Sequence, residues 1–291
     1  MARIAIVGPG AVGGVIAAWL GQTGRHEVIL CARRPFAELE VTTATGVIKA
    51  HPVVLTEPAR ASAVDWVLVA TKAYDAASAA VWLAGLAGPA TPVAILQNGV
   101  EHRERFAPYL AAAQIMPVMV DCPAERSAPG KIRQRGTAKL VVQDEPRGRE
   151  FAGLFAGTPV EVTLTPDLRS AVWRKLCLNS SGVLNALLLQ PAGAMRDEKL
   201  GELVRAMVRE CIAVARAEGA VLDDSLPDAI LQAYRNAPAD SVNSIQADRQ
   251  AGRPMEIDAR NGVIVRLGRK HGIATPYNEM AVALLEAMAR G

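Results

Sequence analysis

The sequence predicts an α/β chain in which a doubly wound parallel sheet is followed by a second, all-helical domain. Three observations predict this fold class. An apolar run at residues 3–7 leads directly into a glycine-rich turn and an amphipathic stretch. Through the first half, other apolar runs of strand length alternate with alanine-rich stretches, which is typical of parallel strands covered on both faces. After Pro166, strand-like runs give way to helical periodicity.

The first turn carries a dinucleotide-binding pattern, Gly8-Pro9-Gly10-Ala11-Val12-Gly13. Gly8 permits a tight turn, Gly10 has no Cβ to block a pyrophosphate, and Gly13 lets the helix approach the strand. The free backbone N–H groups at the start of the helix favour phosphate. Because the pattern lies between a strand and a helix, it predicts a Rossmann-type domain that binds a dinucleotide.

The second predicted strand, at residues 27–31, ends in Ala32-Arg33-Arg34. An NAD site usually has an acidic residue here, which accepts hydrogen bonds from the adenosine ribose. This chain has no carboxylate until Glu38. A guanidinium pairs well with a phosphate and poorly with a neutral diol. Arg33 and Arg34 therefore favour NADP(H) as the cofactor.

The remaining strands of the first domain are predicted from short apolar runs. Three of these runs lie at residues 64–70, 92–96 and 114–120, and a helix is predicted at 76–87. Residues 131–135 and 139–143 flank Gly136, which predicts a hairpin at the edge of the sheet. Residues 161–164 predict one last strand.

Helical periodicity defines the second half of the chain. Between residues 198 and 218, apolar side chains recur at spacings of three and four, and Gly219 is suited to end that helix. Residues 276–290 predict the closing helix. We therefore expect an NADP-binding domain at residues 1–166 and a helical substrate and catalytic domain at residues 167–291.

Composition excludes several classes of function. The net charge of +3, with 32 basic against 29 acidic residues, favours neither nucleic acid nor an anionic membrane as a partner. Four scattered cysteines and four histidines form no metal-binding motif, so no metal site is predicted. With no apolar run of membrane-spanning length and no charged leader, a cytoplasmic protein is expected. Exposed apolar helical surface could pair two chains as a homodimer.

Polar residues follow two of the predicted strands. Thr71-Lys72 comes after the run at 64–70, and Gln97-Asn98 comes after the run at 92–96. The carboxyl ends of parallel strands face the ligand crevice, so Lys72 could meet phosphate or substrate charge. Asn98 could bind a carbonyl group and the nicotinamide-side ribose. A solvated lysine and an ordinary Asn-Gly turn are the alternatives.

Lys175 is the candidate general acid. It lies four residues before Asn179 in a predicted helix, so the two side chains share one face. Apolar neighbours disfavour a charged ammonium and make its proton easier to transfer. The alternative is a lysine at the edge of a core helix that buries only its stem.

At these residues the chain resembles the ketopantoate reductase family, the 2-dehydropantoate 2-reductases. The resemblance covers nearly the whole chain. It rests on six motifs in order: Gly8-Pro9-Gly10-Ala11-Val12-Gly13, Ala32-Arg33-Arg34, Thr71-Lys72, Gln97-Asn98-Gly99-Val100, Lys175-Leu176-Cys177-Leu178-Asn179, and Ser244 through Glu256-Ile257-Asp258-Ala259-Arg260-Asn261-Gly262.

The resemblance implies NADPH-dependent reduction of a 2-oxo acid, above all of ketopantoate to pantoate in pantothenate biosynthesis. Lys175 would donate the proton. Glu256 would lie near Lys175 on the nicotinamide side of the cofactor. Lys72 would approach the cofactor phosphates and ribose. Three polar side chains would help to hold the substrate: Asn98, Asn179 and Ser244.

Two positions depart from the family pattern on the substrate side. Val183 stands where the family has a second asparagine after the lysine, and Ala192 stands where some members have another. Losing an amide that pairs with a substrate hydroxyl changes selectivity. A related reductase for another small 2-oxo or hydroxy acid is therefore the first alternative. A non-catalytic NADP(H)-binding sensor is the second, although a sensor has no chemical need for Lys175, Asn98 and Glu256 together.

Overall fold

The computed structural model describes residues 1–290. These residues divide into two compact units. The first comprises Met1–Gln97 and Glu101–Leu168, and the second comprises Asn98–Val100 and the chain from Arg169 onward. The boundary expected at residue 166 lies close to this division. The grouping of Asn98–Val100 with the second unit was not anticipated.

The described residues form thirteen strands. In chain order they are β1 (Ala2–Val7), β2 (His26–Cys31), β3 (Leu39–Thr43), β4 (Gly46–Ala50), β5 (Val53–Leu55), β6 (Trp66–Val69), β7 (Val93–Ile95), β8 (Ile115–Pro117), β9 (Met119–Asp121), β10 (Ala124–Ala128), β11 (Lys131–Gln134), β12 (Lys139–Gln143) and β13 (Glu161–Thr165).

Eleven α-helices are formed by the same residues. They are α1 (Ala11–Gln22), α2 (Ala76–Leu86), α3 (His102–Phe106), α4 (Pro146–Leu154), α5 (Leu168–Ser181), α6 (Val183–Leu188), α7 (Glu198–Ala217), α8 (Leu226–Asn236), α9 (Ser244–Gln250), α10 (Val263–His271) and α11 (Pro276–Arg290). Within residues 1–290, no helix is both long enough and apolar enough to cross a membrane.

A six-stranded parallel sheet forms the centre of the first unit, in the order β5-β2-β1-β6-β7-β8. Alternate side chains of its strands enter two different cores, as the period of a strand requires. Ile4 and Ile6 pack with α1 on one face, whereas Ala5 and Val7 pack with α2 on the other. The predicted doubly wound parallel sheet is therefore confirmed.

The predicted hairpin at residues 131–143 is wrong. β11 pairs with β10 and β3, whereas β12 pairs with β9 and β13 in a different sheet. The two strands separate because they bury side chains at different places. Ile132 of β11 lies against Gly14 of α1, where an added Cβ would come within 1.9 Å of its Cδ1 atom. Leu140 of β12 is fully buried in a core that includes Phe151 of α4.

The predicted strand at residues 114–120 is also broken. β8 joins the six-stranded sheet and β9 joins the three-stranded sheet with β12 and β13. Val118, between the two strands, is fully buried, and its N–H donates to the carbonyl of Ile95. A continuous apolar run thus serves two sheets. The strand predicted at 161–164 is confirmed as β13, parallel to β12.

The second unit is helical, as the sequence predicts, and it is organised around α7. The apolar stripe of α7 is buried against α8, α10 and α11. Glu210 on α7 accepts hydrogen bonds from the backbone N–H groups of Tyr277 and Asn278, at 2.9 and 3.0 Å, at the start of α11. A carboxylate satisfies unpaired N–H groups and favours the positive end of the helix dipole.

Buried amides connect α11 to the segment that precedes α10. Asn261, in a π-helical turn at Asp258–Gly262, donates to Oδ1 of Asn278 at 2.8 Å and to the carbonyl of Ser180 at 3.0 Å. Both asparagines are fully buried. These bonds hold the π-helical turn against the carboxyl end of α5, and so they position the residues just before that turn.

Candidate functional site

The glycine-rich turn connects β1 to α1 in the first unit. Gly8 has a φ of +86°, which side-chain-bearing residues rarely adopt. Its N–H donates to the carbonyl of Cys31 at 3.0 Å, and the N–H of Gly10 donates to the carbonyl of Gly8 at 2.7 Å. Gly10 is the N-cap of α1, so the unpaired N–H groups of the helix begin directly after the turn.

The three glycines of the motif differ in what surrounds them. A Cβ on Gly8 would lie 2.6 Å from Cγ2 of Thr71, and one on Gly13 would lie 2.4 Å from the carbonyl oxygen of Gly8. A Cβ on Gly10 would meet nothing nearer than 4.0 Å. Internal packing therefore accounts for Gly8 and Gly13, but not for Gly10. The space beside Gly10 fits the pyrophosphate of a dinucleotide, which needs a close approach to the backbone.

Arg33 and Arg34 are exposed directly after β2, beyond the buried Ala32. Nη2 of Arg33 lies 3.4 Å from Oδ2 of Asp75, and the side chain of Arg33 is 83% exposed. An exposed ion pair of this kind contributes at most about 1 kcal/mol, so a phosphate could replace the carboxylate. The position therefore fits recognition of a phosphorylated ribose.

Residues that follow β6 and β7 meet in the first unit, as expected for neighbouring parallel strands. Gln97 donates from Nε2 to Oγ1 of Thr71 at 2.9 Å and to the carbonyl of Lys72 at 3.2 Å. Lys72 is half-buried and precedes a 3₁₀ turn at Ala73–Asp75. The backbone around Lys72 is thus held by the buried side chain of Gln97.

In the second unit, three of the predicted site residues form a hydrogen-bonded cluster. The Nδ2 atom of Asn98 donates to Oε2 of Glu256 at 3.0 Å. The Nδ2 atom of Asn179 lies 3.5 Å from Oδ1 of Asn98, at the limit of a hydrogen bond. Glu256 is 6% exposed, whereas both asparagines are half-buried. The structure therefore brings together residues from three distant parts of the sequence.

Lys175 is positioned by α5, one turn before Asn179. Residues four apart on a helix lie on one face, so the ammonium and the Asn179 amide are directed to the same side. Lys175 is half-buried, and the next two residues, Leu176 and Cys177, are fully buried. The lysine therefore stands at the edge of the apolar core rather than on an open surface.

Arg260 is a residue of this region to which sequence reasoning assigned no role. Its Nη2 atom donates to Oγ of Ser244 at 3.2 Å, and the residue is 4% exposed. Burial lowers the pKa of the guanidinium, while the charge of Glu256 acts in the opposite direction. In the sequence, Arg260 could have been linked to Glu256 only by their spacing of four residues, which places side chains on one face of an α-helix. The π-helical turn at Asp258–Gly262 has a different period, so that rule does not apply there.

The two departures from the family pattern are both buried. Val183 is fully buried and Ala192 is 6% exposed. The nearby Asn185 does not supply a free amide in their place. Its Nδ2 atom donates to the carbonyl of Gln190 at 2.9 Å, and its Oδ1 atom accepts from Asn243 at 3.1 Å. Among residues 1–290, no group of three or more His, Cys, Asp and Glu side chains could hold a metal ion.

Comparison with known proteins decides the family. The family described as ketopantoate reductase PanE/ApbA matches residues 4–147, and its C-terminal counterpart matches residues 167–289. The chain belongs to the ketopantoate reductase family. This family consists of oxidoreductases, and the chain is an enzyme of that class.

Individual members of the ketopantoate reductase family match over the whole chain. A 2-dehydropantoate 2-reductase of Caulobacter vibrioides is 54% identical over 99% of this chain and 100% of its own length. The crystal structure of 2-dehydropantoate 2-reductase from Geobacter metallireducens has a TM-score of 0.93 and is 30% identical, covering 98% of this chain and 99% of that one.

A more distant structure shares only the fold. The ternary structure of D-mandelate dehydrogenase with NADH and anilino(oxo)acetate has a TM-score of 0.89 at 23% identity, and it covers 99% of this chain and 98% of that one. The fold of the ketopantoate reductase family therefore extends to an enzyme with a different name.

Proposed function

We propose that this protein reduces a 2-oxo acid to the 2-hydroxy acid with NADPH, and that ketopantoate is its substrate. The observation that carries the proposal is the cluster of Asn98, Asn179 and Glu256 beside the Lys175 face of α5. These four residues stand at the family's motif positions. The name of the 54% identical relative from Caulobacter vibrioides supports ketopantoate as the acid.

The cofactor assignment rests on the first unit. The loop from Gly8 to Gly13 would hold the pyrophosphate, with Gly10 providing the close approach. Arg33 and Arg34 would bind the ribose phosphate that distinguishes NADPH from NADH, and Lys72 would lie near the phosphates and ribose. When bound, the nicotinamide supplies a hydride to the carbon of the keto group.

Lys175 completes the reduction by supplying the proton. Its ammonium hydrogen-bonds the keto oxygen and transfers a proton to that oxygen as negative charge develops on it. The net change adds one hydride to carbon and one proton to oxygen, which yields the hydroxyl. A cation at this position stabilises the developing alkoxide more than the neutral ketone, and that difference lowers the barrier.

The neighbours of Lys175 orient the reacting groups. In the proposal Glu256 faces Lys175, and its negative charge orients the ammonium toward the keto oxygen. Because Asn98 donates to Glu256, its amide is held in one orientation, with Oδ1 toward Asn179. In the proposal Asn98 and Asn179 position the substrate, and Ser244 donates to its carboxylate.

The decisive experiment follows NADPH oxidation with ketopantoate and with a panel of other small 2-oxo acids. Lys175→Ala is expected to lower kcat about 10²- to 10⁴-fold, because a positioned general acid contributes about that much. NADPH binding should remain. Lys199→Ala, at an exposed position on α7, is the matched control and should leave kcat unchanged.

The substrate panel separates the alternatives. Turnover of another acid in place of ketopantoate would support a related reductase, which the buried Val183 and Ala192 favour because neither offers an amide. Tight NADPH binding without turnover of any acid would contradict the enzyme assignment and favour a sensor. Unchanged turnover in Lys175→Ala would overturn the role of that lysine.

A further inference from the structure

The guanidinium of Arg260 has donors that the protein does not use. Although the residue is 4% exposed, its Nε and Nη1 atoms have no hydrogen-bond partner among the described residues. Nη2 carries two N–H groups, and Ser244 accepts from it at 3.2 Å. A buried donor without a partner loses its bonds to water and gains none in return, and the cost is greater when the donor is charged. Such an arrangement indicates a ligand that accepts these hydrogen bonds.

Arg260 lies close enough to Glu256 of the cluster described above for the two charges to interact. Arg260 lies four residues after Glu256, and the charge of Glu256 raises the pKa of the guanidinium against the lowering effect of burial. Tyr234 and Asp248 also raise the pKa of the Arg260 guanidinium. Asp248 is itself paired with Arg253, 2.9 Å away. An arginine side chain keeps its proton in proteins, so Arg260 is a cation near Glu256.

Ser244 offers an exposed hydroxyl in contact with the buried Arg260. Ser244 is exposed at the start of α9, and the N-cap of that helix is Asn243, so the serine hydroxyl is not needed to cap it. The Nη2 atom of the guanidinium lies 3.2 Å from Oγ of Ser244, so a ligand bound to that hydroxyl would lie close to the cation. The exposed hydroxyl and the buried cation can therefore act on one group.

The geometry of the donors matches a carboxylate. In an arginine, Nε with Nη2, or Nη1 with Nη2, presents two parallel N–H groups to two carboxylate oxygens. Either fork contains one of the unpartnered atoms of Arg260. The charges of the region also favour an anionic ligand. Lys175 and Glu256 together carry no net charge, and Arg260 adds the positive charge that attracts an anion.

We propose that Arg260, together with Ser244, binds the carboxylate of the 2-oxo acid and makes the enzyme selective for free acids over their esters. This inference rests on the proposed function and assigns a specificity-determining residue to it.

The test compares a 2-oxo acid that the wild-type enzyme reduces with the methyl ester of the same acid. In Arg260→Met, kcat/KM for the acid is expected to fall about 100-fold, mainly through KM, since a charged hydrogen-bonded contact is lost. Turnover of the ester should change less than about threefold. Arg260→Lys should retain part of the preference for the acid over its methyl ester. Arg209→Met, at an exposed position on α7, is the matched control.

A second variant keeps the test valid if Arg260→Met does not fold. Ser244→Ala removes one exposed hydroxyl and should lower the preference for the acid about 3- to 10-fold, in line with one hydrogen bond. An equal loss for acid and ester in the Arg260 variants, or an unchanged preference in Ser244→Ala, would overturn the inference and leave the proposed function standing. A wild-type enzyme that reduces no 2-oxo acid would instead contradict the proposed function.

Discussion

The side-chain amide of Asn98 donates a 3.0 Å hydrogen bond to Oε2 of Glu256, across a separation of 158 residues in the chain. A neutral donor thus binds one oxygen of a carboxylate that is 6% exposed. The bond also determines the orientation of the amide, because Oδ1 of Asn98 then lies toward Nδ2 of Asn179. The position of Asn98 beside Glu256 leads to the first prediction.

Asn98→Asp should make stability depend on pH. The variant places a second carboxylate beside Glu256, and because two negative charges at this distance disfavour each other, the pKa of the pair rises in the folded state. A folded-state pKa above the unfolded value means that the folded protein binds more protons, so the variant gains stability as pH falls. We expect it to be less stable than wild type by about 1–3 kcal/mol at pH 7 and closer to wild type at pH 5.

Urea unfolding at both pH values measures this difference. Asn98→Ala is the control, because it removes the same hydrogen bond without adding a charge. Its loss of unfolding free energy relative to wild type should be about the same at pH 7 and pH 5. A deficit in Asn98→Asp that is equal at pH 7 and pH 5 would contradict the contact with Glu256.

Alanine substitutions at two glycines of the loop should affect different properties: Gly13→Ala the stability, and Gly10→Ala the binding of NADPH. Gly13→Ala places a Cβ 2.4 Å from the carbonyl oxygen of Gly8 and 3.1 Å from the Cβ of Ala70, and is expected to cost about 1–3 kcal/mol. Gly10→Ala brings its Cβ no nearer than 4.0 Å to any atom of the protein and should leave the free energy of unfolding nearly unchanged. It should weaken NADPH binding at least about 10-fold, because the Cβ enters the pyrophosphate position.

Thermal unfolding without cofactor and a fluorescence titration with NADPH distinguish the two effects. Each variant serves as the control for the other. Unimpaired NADPH binding by Gly10→Ala would show that the pyrophosphate does not lie beside this glycine.

Arg33→Ala should weaken binding of NADPH but not of NADH. The guanidinium is 83% exposed and pairs only loosely with Asp75, so its loss should cost little stability. Loss of a charged contact to phosphate is expected to raise the Kd for NADPH about 10- to 100-fold. Asp75→Asn, which removes the competing carboxylate, should leave NADPH affinity equal or higher.

Parallel titrations with both cofactors test the Arg33 prediction. Arg60→Ala, at an exposed position in the same unit, is the control. Equal losses of affinity for NADPH and NADH in Arg33→Ala would exclude a contact with the distinguishing phosphate.

An ion pair near the end of α7 predicts a second pH dependence. Hydrogen bonds from His271 at 2.5 Å and Lys270 at 2.9 Å hold the pKa of Glu218 below its usual range. A depressed folded-state pKa stabilises the protein above the unfolded value of about 4.3, and the contribution is lost as pH falls through the folded value. Glu218→Gln should therefore be less stable by up to about 1 kcal/mol at pH 6, since the pair is partly exposed and screened.

Urea unfolding at pH 6 and pH 3 measures the contribution of Glu218. The deficit of Glu218→Gln should shrink at the lower pH, where the wild-type carboxylate is also becoming protonated. Glu286→Gln, at an exposed position on α11, is the control. A deficit that grows toward pH 3 would contradict the sign of the shift.

Local sequence determined many of the elements of this protein, although not the strands β3, β4, β5 and β10. Alternating apolar runs predicted the parallel sheet, and the loop from Gly8 to Gly13 was predicted from its strand and helix context. The helix α7 was predicted from the spacing of its apolar residues, and the shared face of Lys175 and Asn179 from their separation of four residues. These features depend on neighbours within a few residues, so hydrophobic period and backbone geometry were sufficient to predict them.

Tertiary structure decided which of those elements meet. Burial of Ile132 against α1 and of Leu140 in a separate part of the core divided the expected hairpin between two sheets. The contact of Asn98 with Glu256 joined residues 158 positions apart, and that of Arg260 with Ser244 joined residues 16 apart on different helical segments. No local pattern encodes these partners, because each is selected by the long-range packing that removes water from polar groups and leaves them only one another, or a ligand, to bind.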